Sequence, residues 1–94
     1  MRSHPILAAR IARTDLETTR FGFATGRALG SAVVRNRIRR RLREELRVMA
    51  PMFQPGWDIL LIARPAIVDA GQDTLAAALR RLLSRDGVLG GSES

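Results

Sequence analysis

The chain has 94 residues, among them sixteen arginines, no lysine, nine acids and one histidine, for a net charge of +7. That length suits one small domain, and 46% hydrophobic residues suffice for a modest core. The lack of cysteine excludes disulfides and thiolate metal sites, and no apolar run nears the roughly 20 residues that span a bilayer.

A cysteine-free chain fits a reducing compartment, with the cytoplasm as default, and MRSHPILAARIAR has too short an apolar stretch for a secretory signal. The charge is local. Residues 1–47 hold twelve arginines against four acids, a net +8, whereas residues 48–94 hold four arginines against five acids, a net −1. Codon bias accounts for the missing lysines, since alanine and glycine are abundant too, but not for the clustering. Arginine offers a planar fork of donors suited to phosphate oxygens and to stacking on bases.

In chain order, Pro5 to Arg13, PILAARIAR, reads as a strand, with helix as the competing reading because alanine and leucine favour it. Thr14 to Thr19, TDLETT, is polar and turn-like. Arg20 to Arg27, RFGFATGR, places Phe21, Phe23 and Thr25 on one side of a second strand, and the two runs predict a hairpin. Gly22 marks a bulge or a close backbone approach, and Gly26 and Gly30 bracket the turn into the next element.

Ser31 to Met49, SAVVRNRIRRRLREELRVM, predicts one amphipathic helix. Ser31 is placed to cap it, nothing interrupts it, and Pro51 stops it beyond Ala50. Val34, Ile38, Leu42, Leu46 and Met49 form a single aliphatic row that must be buried. Asn36, Arg40, Arg43 and Arg47 fall on the opposite face, with Arg35 and Arg39 on one flank of the row and Arg37 and Arg41 on the other. Seven arginines against two glutamates leave +5 in this segment, with Glu44 able to offset Arg40 or Arg41 and Glu45 able to offset Arg41. Like charges four residues apart oppose an isolated helix, so a polyanion is the natural partner.

After the loop MFQPG, Trp57 to Ala63, WDILLIA, has the nearly continuous apolar pattern of a central strand covered on both faces. Gln72 to Ser84 spaces Leu75, Leu79, Leu82 and Leu83 as a second amphipathic helix, capped by Asp73 or Gln72. Arg80, Arg81 and Arg85 lie near its C-terminal end, where the helix dipole favours cations. Residues 87–94 read as a frayed tail, so a single domain over 1–94 has its ordered part at about 5–86. The order β-β-α-β-α predicts an α+β, two-layer sandwich with both helices on a small sheet, and leaves the strand order open.

Catalytic chemistry is poorly supplied. His4, the single histidine, has no cysteine or ordered partner, Asp58 stands alone at the start of an apolar strand, and a chain without lysine has no phosphate-binding loop of the usual kind. Binding chemistry is richer. A line of guanidinium groups on one helix matches several phosphate repeats, and Asn36 both donates and accepts. Phe21, Phe23, Phe53 and Trp57 are read mainly as core residues, with base stacking as the alternative. A solvated charged face and a membrane-surface helix are the other readings of the basic segment; the second would leave the sheet without its best cover.

From Gly30 the run GSAVVRNRIRRRLRE resembles the signature of the bacterial ribonuclease P protein subunit, in which a small residue pair leads into AVxRNRxKRxxRE. Phe21-Gly22-Phe23 with Arg27 resembles the strand before that helix, and Gly56 to Pro65 the strand after it, so the resemblance covers roughly Pro5 to Ser84. It implies a small basic protein that assembles with a catalytic RNA. That RNA uses Mg2+, which it binds itself, to cleave the 5′ leader from precursor tRNA. The resemblance thus implies RNA partners, no membrane and no catalysis by the protein alone. Carried over by position, Arg35, Asn36, Arg37, Arg40 and Arg43 become RNA contacts, and Arg27 and Arg39 face RNA or the leader, with Arg39 standing where the family usually has lysine; Arg47, on the same exposed face beyond the signature, joins the RNA-binding set. The implied fold is like the second domain of a small-subunit ribosomal protein, with an unusual left-handed β-α-β crossover. Family members ordinarily place a basic helix with paired phenylalanines before the first strand, as one wall of the leader cleft; this sequence starts almost at that strand. A structural, ribosome-associated RNA-binding protein is the alternative that the same charge would serve.

Overall fold

The computed structural model describes residues 2–84, 88 and 89. It contains β1 (Arg2–His4), β2 (Leu7–Arg13), β3 (Arg20–Ala24), α1 (Ala32–Met49), β4 (Trp57–Ala63) and α2 (Gln72–Leu83). Short 3-10 turns occupy Arg27–Leu29, Ala50–Met52 and Pro65–Asp69. The strands form one sheet in the order β1-β2-β4-β3, and both helices pack on the same face of it, giving the expected α+β sandwich.

The predicted hairpin between the first two runs does not form. β4 lies between β2 and β3, antiparallel to the first in the register Leu7↔Ala63 to Arg13↔Trp57 and parallel to the second from Arg20↔Asp58 to Ala24↔Ile62. The connection at residues 14–19 explains this. Instead of turning on itself, it bonds the loop before β4: Thr14 N–H donates to Gly56 O at 2.8 Å, and the Thr19 hydroxyl donates to Gln54 O at 2.5 Å. Two strand spacings are only about 10 Å, which six residues cross easily. The parallel pair joined through α1 is the β-α-β unit that the family resemblance implies.

β4 is central, as its composition predicts, but one of its faces is open. Trp57, Ile59, Leu61 and Ala63 are buried beneath the helices, while Leu60 on the opposite face is 37% exposed. β1 is an element that the sequence pattern does not predict. It is only three residues long, and it pairs with β2 across a turn at Pro5-Ile6 whose Ile6 N–H donates to His4 Nδ1 at 3.3 Å.

In α2 the leucine row is buried as spaced, with Ala78 beside it. Its cap differs: the N-cap is Gly71, with no side-chain bond, and Gln72 reaches to α1 instead. The tail reading is corrected at Val88 and Leu89. Val88 is fully buried, its carbonyl accepts from Gln54 N–H at 2.7 Å, and Leu89 bridges antiparallel to Phe53. Arg85, Asp86, Gly87 and residues 90–94 lie outside the described residues.

Candidate nucleic-acid interface

The chain turns into α1 through Gly30, whose φ of 127° and ψ of −153° suit glycine alone. Ser31 then caps the helix, its hydroxyl accepting from Val34 N–H at 3.4 Å. Ile38, Leu42, Leu46 and Met49 are buried and Val34 is half-buried on the same core, so the aliphatic row fixes which way the arginines face. Beyond Met49 a 3-10 turn containing Pro51 ends the helix.

The candidate residues form a continuous surface along α1. Asn36, Arg37, Arg40, Arg43 and Arg47 are exposed, Arg35 and Arg39 are half-buried on the flank, and Arg27 is exposed in the turn before the helix. Arg39 donates to Asn36 Oδ1 and Arg47 pairs with Glu44, each at 2.5 Å. Glu44 therefore offsets Arg47, not Arg40 or Arg41 as expected, and Glu45 accepts from Gln72 at 2.8 Å. The cause is Arg41, whose donors are drawn off α1 to Gln72 and to the backbone carbonyls of Ile67 and Ala70.

Beside α1, Phe21 and Phe23 of β3 join Arg43, Leu46, Arg47, Ala50 and Phe53 around a groove of about 490 Å³. The Phe21 and Phe53 rings are tilted with centroids 4.9 Å apart, and Arg43 lies over Phe23. Of the aromatics, only Trp57 is buried in the core, with Arg13 stacked 4.8 Å above its ring. The three phenylalanines pack on the core while leaving one side open. The signal for this was their place: strict alternation on a strand that turns out to be an edge, plus a loop residue. The groove thus combines ring faces for planar groups with guanidinium groups for anions, a pairing suited to single-stranded nucleic acid.

On the open face of the sheet Asp58 accepts two bonds from Arg20, at 2.7 and 2.6 Å. These bonds hold the Asp58 carboxyl below its ordinary pKa and raise that of Arg20. Asp58 is thus half of a surface ion pair. Among the described residues no group of three or more His, Cys, Asp or Glu could hold a metal ion, and no helix is long and apolar enough to cross a membrane.

The family model described as Ribonuclease P matches residues 2–86. The chain belongs to the bacterial ribonuclease P protein family. It is 49% identical over 77 residues to the ribonuclease P protein component of Roseiflexus castenholzii, covering 81% of this chain and 63% of that one. To the component of Herpetosiphon aurantiacus it is 35% identical over 83 residues, covering 88% and 68%. The RNase P protein of Staphylococcus aureus superposes with a TM-score of 0.83 at 25% identity, covering 94% of this chain and 81% of that one. That of Thermotoga maritima gives 0.80 at 25% identity, covering 88% and 81%. The chain spans slightly under two thirds of the length of the Roseiflexus relatives.

Proposed function

We propose that the chain is the protein subunit of ribonuclease P, which binds the catalytic RNA and the 5′ leader of precursor tRNA and so assists maturation of tRNA 5′ ends in the cytoplasm. Family membership and the arginine surface beside an aromatic groove support this reading. Arg35, Asn36, Arg37, Arg39, Arg40 and Arg47, with Arg27 ahead of the helix, meet RNA phosphates and riboses. Arg43 stands at the border of that surface and the groove, where the leader runs over Phe21, Phe23 and Phe53. The RNA carries the reaction and its Mg2+, and the protein lowers the magnesium needed by replacing part of its charge screening. The whole of residues 1–94 acts as one RNA-binding domain.

The observation that carries the proposal is the Arg43–Phe23 stack, which joins the signature helix to the groove floor. The test is cleavage of precursor tRNA by the cognate RNA at low magnesium, with and without this protein. Marked stimulation is expected. If binding to RNA occurs with no stimulation, the chain is instead a structural ribosome-associated RNA-binding protein.

A further inference from the structure

Among the described residues, six of the seven arginines of α1 stand outside the Arg41 network, with Arg39 and Arg47 bonded only within their own helix. Arg41 crosses to another element. Its Nε donates to Gln72 Oε1 at 2.9 Å, its Nη1 to Ile67 O at 3.4 Å and its Nη2 to Ala70 O at 2.5 Å. Gln72 answers through Nε2, which donates to Glu45 Oε2 at 2.8 Å and to Arg41 O at 3.4 Å. Both ends of the amide are satisfied, and the guanidinium has acceptors on three sides.

We infer that Arg41 and Gln72 form a positioning clasp that sets the rotation of α1, and with it the reach of Arg43 into the groove. This inference rests on the ribonuclease P reading. An aliphatic row of Ile38, Leu42 and Leu46 tolerates small rolls, because dispersion contacts are individually weak and non-directional. Directional bonds to two main-chain carbonyls and a side-chain amide do not. Arg41 sits on the α2 side of the helix and Arg43 on the β3 side, where it covers Phe23. A roll that relaxed the clasp would therefore lift Arg43 and tilt Arg37 and Arg40 together. Arg41 occupies an unspecified position of the signature, between the arginines at 40 and 43, so the clasp is a property of this chain and not of the motif.

The experiment uses the full chain assembled with the ribonuclease P catalytic RNA. Arg41→Met keeps the alkyl stem and removes the donors; Gln72→Ala removes the partner and leaves every arginine in place. Three quantities are read: affinity for the RNA across a salt series, the holoenzyme's preference for leader-bearing over leaderless tRNA, and thermal stability. Each single substitution should lower the leader preference roughly threefold to tenfold, the scale of one or two net hydrogen bonds, and the double substitution no further. The salt slope should stay unchanged. If Arg41→Met reduced the slope by about 0.7 to 0.9 and Gln72→Ala did nothing, Arg41 would be a direct phosphate contact and the clasp would be refuted. Loss of thermal stability with leader preference intact would refute it equally, and because Gln72 is exposed its variant decides even if Arg41→Met misfolds. Failure of the unsubstituted chain to bind the RNA would instead overturn the functional reading, and the clasp with it.

Discussion

The guanidinium carbon of Arg43 lies 5.4 Å from the ring centroid of Phe23, so a residue of the basic helix rests on a strand of the sheet. An exposed cation–π contact contributes only about 0.5–1 kcal/mol to folding, and Arg40 has no bonded protein partner among the described residues. Arg43→Ala and Arg40→Ala should therefore each weaken RNA binding roughly tenfold while the melting temperature moves little. Filter binding and thermal denaturation of the same preparations check this.

Leu42 faces the other way and is fully buried. Leu42→Ala should cost roughly 2–5 kcal/mol through the cavity it leaves, visible in urea titration, with RNA affinity retained at temperatures where the variant is folded. The reverse pattern, arginine substitutions unfolding the chain and Leu42→Ala tolerated, would mean that the two faces of α1 are assigned the wrong way round.

Gly30→Ala is expected to destabilise by about 1–3 kcal/mol even though it lies on the surface, because no L-residue holds its φ of 127° without strain. Its new methyl would also meet Val34 at 3.4 Å. Gly26→Ala is the control: open space surrounds a Cβ there, so stability should be nearly unchanged in the same denaturation experiment.

The Arg20–Asp58 pair gives a pH dependence of defined sign. The folded-state pKa of Asp58 lies below the ordinary 3.8, chiefly because Arg20 hydrogen-bonds its carboxylate. The pair therefore contributes stability above that value and loses it as the pH falls through the folded pKa. Asp58→Asn should melt slightly lower than the parent near neutrality, and the difference should vanish in strong acid. The effect is small because both side chains are exposed and screened.

α1 was legible in the sequence because everything that defines it is local: a serine cap, a proline stop and an aliphatic row in one unbroken segment. The groove was not, since Phe21, Phe23 and Phe53 come from segments some thirty residues apart and meet only once β3 is placed at the sheet edge. The false hairpin has the same origin. A polar six-residue connection between two strands looks like a turn unless it is known that Thr14 and Thr19 bond the loop before β4. Likewise WDILLIA reads as doubly covered because its apolar run hides the alternation, which only the exposure of Leu60 reveals. The Arg41 clasp could not be read at all, because an arginine bound to main-chain carbonyls has the same sequence pattern as one awaiting a phosphate.

The placement of β4 in the middle of the sheet has a consequence for synthesis. Among the described residues β3 pairs with β4 alone, and β2 has only the short β1 beside it before β4 exists. The whole of α1 precedes β4 in the chain, and its like charges oppose its standing alone. During translation, then, the arginine surface is made before β4 (Trp57–Ala63) can join β2 to β3 beneath it. Folding should wait on β4 and be concerted, the seating of that one strand closing the sheet, covering the aliphatic row and aligning the basic helix together.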